Sequence, residues 1–177
     1  MYKIDLENRR YNSMARGIID NVVNLRKNII KDSLYNIHDD EHRFHIVATV
    51  RGVDYINDSG ATNINATWYS LEKLYGNVIL ILDGRVKQED FYLIYDLIKK
   101  KVKILVCIGD ENNSSISKVE NLNNVIYVDD ISEAVKVAYV LSKRDDIVLF
   151  SPGFPSFGMY DNYIQRGNVF INEVLNL

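Results

Sequence analysis

Residues Tyr55 to Asn63, YINDSGATN, run from an apolar strand pattern straight into an acid, two hydroxyls and several amides. Asn, Asp, Ser and Gly also favour turns and helix caps on backbone grounds alone, so the segment by itself also reads as a turn with a cap. A second polar cluster lies far away: SPGFPSFGMYDNYIQRGN, Ser151 to Asn168, holds two prolines and three glycines. Such a stretch fixes an irregular loop before a final helix, where backbone donors can be offered to an anion. In LDGRVKQEDF, Leu82 to Phe91, Lys87 follows a glycine turn. It is a flexible point charge that desolvation would make a strong carboxylate partner, or else a solvated loop lysine. His38, His42 and His45 have no Cys or further His at a recognised metal-ligand spacing and read as surface or interface histidines.

The elements that must position these residues follow from periodicity. Phe44, Ile46, Ala48 and Val50 alternate with other residues, and Arg51-Gly52 separates them from Val53 to Ile56, as in a hairpin. After Asn63, a candidate cap, a helix is expected from Ala66-Thr67 to Leu74. Further strands are predicted at Val78 to Leu82, Val102 to Ile108, Val125 to Val128 and Ile147 to Phe150. Helices are predicted at Glu89 to Lys99, Ile131 to Ser142 and Tyr163 to Leu175, with a weaker one at Ser114 to Val119. Short apolar strands alternating with helices give an α/β, Rossmann-like, mainly parallel sheet with helices on both faces. Ligands of such sheets bind beyond the carboxyl ends of the strands, where Asp58-Ser59, Asp83-Gly84, Gly109-Asp110 and Ser151-Pro152 fall. Ahead of the sheet, Met14, Ile18, Val22 and Leu25 mark one face of a helix, and Ile29, Ile30 and Leu34 a shorter second one.

With 177 residues, 47% of them hydrophobic and 25% charged, the chain is long enough for one domain with a real core plus a small appendage. A formal charge of -3 without a basic cluster leaves no electrostatic footprint for nucleic acid. The single cysteine, Cys107, sits in the apolar run ILVCIG and reads as a core thiol, which fits a reducing cytoplasm. No apolar run is long enough to span a bilayer, so no membrane partner is expected.

In this order and at these separations, His42-Arg43, NDSGATN, the turn leading to Lys87, SPGFPSF and QRG resemble the C-terminal domain of the Mur ligases. They are most similar to the members that add D-glutamate to UDP-N-acetylmuramoyl-L-alanine. The resemblance implies that Thr62 and Lys87 hold the incoming glutamate, Lys87 at its side-chain carboxylate, with Ser156, Phe157 and Tyr163 around the α-carboxylate end. It likewise implies nucleotide contacts by His42, Arg43 and Asp58, and by Asn12 facing adenine from the end of the central domain. Arginine suits that task because its charge is permanent and its donors match phosphate and ribose oxygens. Several positions depart from the family pattern: Gly60 stands where many members carry Lys, Gly158 where Asp is common and Asp161 where Lys is common. Asn8-Arg9 replace the His-Asn expected before Asn12.

None of the nine glycines is followed by Lys, so the G-K-[ST] end of a phosphate-binding loop is absent from this sequence. By resemblance, residues 1–41 are the helical tail of a central ATPase domain and 42–177 the glutamate-binding C-terminal domain. ATP and Mg²⁺ would be held mainly by the central domain, and the partners would be the central and N-terminal domains, in cis or in trans. The roles implied for this chain are positioning roles, with no catalytic base. The alternative is a stand-alone, non-catalytic binding or interaction module that kept the fold.

Overall fold

The computed structural model describes residues 42–119, 122 and 124–177. Asn12, His38, the helices expected between Met14 and Leu34, and the 1–41 segment therefore lie outside the described residues.

Six strands form one sheet: β1 (His45–Val50), β2 (Val53–Asn57), β3 (Val78–Asp83), β4 (Val102–Ile108), β5 (Val125–Val128) and β6 (Ile147–Phe150), in the order β1-β2-β6-β3-β4-β5. Only the β1–β2 pair is antiparallel. Arg51 and Gly52 have φ of 54° and 78°, the left-handed pair that a two-residue hairpin of the right twist needs. All six residues of β3 are buried, as its unbroken VILILD run requires of a central strand covered on both sides.

Helices α1 (Ile64–Lys73), α4 (Ile131–Leu141) and α5 (Tyr163–Leu175) each begin at an Asn or Asp whose side chain accepts a first-turn N–H: Asn63, Asp130 and Asn162. One sheet face packs Tyr55, Ile79, Ile81, Val106 and Phe150 against Ala134, Val135, Phe170 and Val174 of α4 and α5. The Phe150 and Phe170 rings stack there at 4.7 Å. Strand alternation turns Leu80, Leu82, Leu105 and Cys107 to the other face. Cys107 is fully buried, and burial pushes its thiol up to about 12, so it is a core group without nucleophilic character.

Two predicted helices come out differently. The Glu89 to Lys99 segment divides into α2 (Gln88–Phe91) and α3 (Tyr95–Lys101). Between them Leu93, Ile94 and Tyr95 donate to residues three back, a tightening that turns Phe91 and Ile94 onto one side, where both are completely buried. The weak helix at Ser114 to Val119 is replaced by two 3₁₀ turns, Glu111–Asn113 and Ile116–Lys118. Ser114 Oγ accepts from Ile116 N and donates to Gly84 O, and that side-chain competition stops a regular helix from starting there.

The topology fixes what can meet. β2, β6 and β3 are parallel neighbours, so the loops that follow them, at 58, 151 and 84, leave the sheet side by side. β1 runs the other way, pairing His45 with Asn57, so His42-Arg43 enters at this same end.

Candidate functional site

At the end of β2 the chain turns inward. Asp58 is buried, and its carboxylate accepts from Phe44 N at 3.2 Å, Ser70 Oγ at 2.7 Å and Ser151 Oγ at 2.7 Å. Desolvation pushes its pKa up to about 6, although the three donors and the nearby Arg43 charge oppose the rise. Asp58 thus ties β1, α1 and the loop after β6 to one point. Thr67 strengthens the tie, since its hydroxyl lies 3.0 Å from Ser151 Oγ and 3.2 Å from Ser151 O.

Asn57 orients the histidine. Its Oδ1 accepts from Ser59 N at 3.1 Å, which leaves Nδ2 to donate to His42 Nδ1 at 3.0 Å and places the neutral ring's proton on Nε2. The His42 ring meets Tyr163 edge-on at 6.2 Å, while the Arg43 guanidinium lies 5.9 Å from the centre of the Tyr163 ring. Arg43 Nε is buried and has no hydrogen-bond partner among the described residues. The Arg43 side chain crosses Gly60 so closely that a Cβ there would sit 2.7 Å from Nε, and 2.9 Å from His42 O. Gly60 therefore leaves the space that the Arg43 side chain occupies.

Two arginines organise the loop after β6. Arg166, at 2% exposure, donates to Ser59 O at 2.7 Å, Phe154 O at 2.8 Å and Ser59 Oγ at 3.3 Å. Burial lowers its pKa to about 10, which keeps it charged at neutral pH. Ser59 Oγ in turn donates to Tyr163 O at 2.6 Å, stapling the start of α5 to the loop after β2. Arg85 makes a forked pair with Asp83, Nε to Oδ1 at 2.9 Å and Nη2 to Oδ2 at 2.7 Å, which raises its own pKa. It also reaches Phe157 O at 3.3 Å and Pro155 O at 3.4 Å across the Phe154 ring.

His42, Arg43 and Tyr163 are thus in mutual contact, with Asp58 one residue from Ser59, which anchors them. Thr62 is half-buried in the loop that receives Gly153 N at Ala61 O, 3.0 Å. Ser156 is buried and Phe157 is 74% exposed beside it. Lys87 is exposed at the start of α2, in the loop that carries Arg85. Among the described residues no hydrogen bond or ion pair joins Thr62, Lys87 and Ser156 to one another; they share one end of the sheet on three adjacent loops. Sequence reasoning assigned no role to Arg85, Arg166 or Asn57, although QRG contains Arg166 and Asp83-Gly84 directly precedes Arg85.

Comparison with known proteins places the chain in a family. A family model described as "Mur ligase, glutamate ligase domain" matches residues 42–154. The chain is 38% identical over 169 residues to a UDP-N-acetylmuramoylalanine--D-glutamate ligase of Porphyromonas gingivalis, covering 95% of this chain and 38% of the relative. A ligase of the same name from Christiangramia forsetii is 37% identical over 167 residues, with 94% and 38% covered. This chain thus spans little more than a third of the length of these relatives. Among solved structures, a bifunctional folylpolyglutamate synthase/dihydrofolate synthase from Yersinia pestis shares the fold, with a TM-score of 0.53 and 19% identity over 80% of this chain and 32% of that one.

Proposed function

Since the chain belongs to the Mur ligase family and carries its glutamate ligase domain, we propose that it positions D-glutamate in an ATP-dependent ligase that extends UDP-N-acetylmuramoyl-L-alanine. The observation that carries this reading is the meeting of His42-Arg43 with the loops after β2, β3 and β6 at one end of the sheet. A dicarboxylate needs a cation at one end and oriented donors at the other. Lys87 supplies the first, for the side-chain carboxylate, and Thr62 adds a second contact to the amino acid. Ser156, Phe157 and the Tyr163 ring supply the second and cover the apolar stem.

On this reading residues 42–177 are the glutamate-binding domain and 1–41 the tail of the central ATPase domain. ATP supplies the phosphoryl group that makes the substrate carboxylate open to attack by the amine, and the central domain holds ATP and its Mg²⁺. Arg43 fits the nucleotide because its charge is permanent and its guanidinium donors match phosphate and ribose oxygens. His42 steers Arg43 and Tyr163 through its ring contact. Asp58, its carboxylate already met by three donors, supports the nucleotide-facing residues from behind. The domain's contribution to rate is orientation, which holds amine and acyl carbon in line once the domains close.

The test is an exchange: this chain replaces the matching 38% of the Porphyromonas gingivalis ligase, and phosphate release is followed. Turnover should depend on D-glutamate, and Lys87→Ala should raise the KM for D-glutamate about tenfold while leaving that for ATP unchanged. A folded hybrid that turns over with the same glutamate KM before and after Lys87→Ala would remove Lys87 from the site.

A further inference from the structure

The loop after β6 is polarised. Every carbonyl from 154 to 157 has a donor: Phe154 O takes Arg166 Nη1 at 2.8 Å, Pro155 O takes Arg85 Nη2 at 3.4 Å, Ser156 O takes Tyr160 N at 3.1 Å and Phe157 O takes Arg85 Nη1 at 3.3 Å. Among the described residues, the N–H groups of Ser156, Phe157 and Gly158 have no protein acceptor. In a planar trans peptide the N–H points opposite to the C=O. The amides of Ser156 and Gly158, which share peptide units with the Pro155 and Phe157 carbonyls, therefore face away from Arg85. Gly158, at φ 90°, lets the chain turn without a side chain covering that face. Successive free N–H groups of this kind make an anion-binding concavity.

We propose that Arg85, aligned by Asp83, is a positioning residue for the α-carboxylate of the amino acid; this rests on the glutamate-binding reading above. Arg85 does not touch the substrate. Its guanidinium is fixed by the forked pair with Asp83, and Asp83 is fixed to the sheet because it ends β3, is buried and bonds Pro152 O through its own N–H at 3.0 Å. From that reference point Arg85 gathers the carbonyl edge of residues 155–157 and leaves the amide edge for a carboxylate. It also links the two ends of the dicarboxylate site, because Lys87 lies two residues farther along the same loop. A lysine at position 85 would lack the planar fork needed to hold Asp83 and two carbonyls together.

The experiment titrates the 177-residue chain with D-glutamate, D-isoglutamine and D-norvaline and follows backbone amide shifts. D-isoglutamine lacks the charged α-carboxylate and D-norvaline lacks the side-chain carboxylate. Arg85→Ala should weaken D-glutamate about tenfold, leave D-isoglutamine unchanged and weaken D-norvaline as much as D-glutamate; Arg85→Lys should not restore the loss. Equal weakening of D-glutamate and D-isoglutamine, or no weakening of D-glutamate, would overturn the proposal. Absence of any D-glutamate response in the unaltered chain would overturn the reading of the site itself. A ligand-free measurement keeps the two apart: hydrogen exchange of the Tyr160 amide should quicken at least about tenfold in Arg85→Ala. Unchanged exchange there means that Arg85 does not order the loop, whatever the site binds.

Discussion

The strand ends of this sheet are closed in two ways. At β2, β3 and β6 the polar residues are tied to partners far along the chain: Ser151 reaches Asp58 across 93 positions, and Arg166 reaches Ser59 across 107. At β4 and β5 the same residue types close on themselves. Asp110 accepts from Asn112 and Asn113, and Asp130 accepts from Glu133 N while Glu133 returns to Asp129 N, a local capping arrangement. An acid after a strand is therefore not a site signal on its own. Long-range ties hold several loops in a fixed relation, which a ligand with two charged ends needs; local ties only finish a strand and start the next helix.

The comparison would break first at Asp58. Asp58→Ala removes the acceptor shared by Ser70, Ser151 and the Phe44 amide, and should cost about 3 kcal/mol in urea unfolding, because buried donors lose their partner. A loss below about 1 kcal/mol would mean that the hub is dispensable. The same carboxylate sets a pH dependence. Its folded pKa of about 6 lies above the ordinary 3.8, so between those values the folded protein keeps a proton that the unfolded chain has released. Stability should therefore fall as pH rises from about 4 to about 6, by up to about 3 kcal/mol, and be flat above. Asp58→Asn should remove that slope, and an unchanged slope would assign it to another group.

Smaller effects test the close approaches. A Cβ at Gly167 would lie 2.2 Å from His42 Nδ1 and 3.0 Å from Ser59 Cβ, so Gly167→Ala should cost about 2 kcal/mol and shift the His42 ring resonances. At Gly60 a Cβ would meet Arg43 Nε at 2.7 Å and the main-chain oxygen of His42 at 2.9 Å, and a carbonyl cannot swing aside as a side chain does, so Gly60→Ala should also cost about 2 kcal/mol. Its main result should be to move Arg43 off Tyr163. In an Arg43→Ala background the Gly60→Ala cost should shrink; if it stays the same, the His42 carbonyl alone resists the methyl group.

Much of the frame was legible because burial writes itself into the chain. VILILD, ILVCI and IVLF are apolar on every residue but one, as strands covered on both faces must be, and the hairpin at Arg51-Gly52 and the cap at Asn63 follow from backbone chemistry. The break between α2 and α3 was not legible, because it depends on burying Phe91 and Ile94 together, which local propensity does not encode. Lys87, Ser156 and Arg43 stood out through motif order. Arg85 and Arg166 did not, since a charged residue in a polar turn or a first helical turn ordinarily meets water. Only the packed structure shows that their acceptors include main-chain carbonyls of distant residues.

The smallest expected effect is the sharpest control. Asp110 sits at a strand end, as Asp58 does, and receives three hydrogen bonds, from Asn112 N at 2.9 Å and from the Asn112 and Asn113 side-chain amides at 3.1 and 2.8 Å. By count the two acids are equal. They differ in surroundings, since Asp110 is exposed and its partners lie two and three residues away. Water replaces those bonds when the carboxylate goes, so Asp110→Ala should cost only about 0.5–1 kcal/mol, the value of a surface cap. It should also leave the amides of residues 156–158 unshifted. A loss approaching that of Asp58→Ala would mean that hydrogen-bond number, and not burial and long-range linkage, separates the two kinds of strand end.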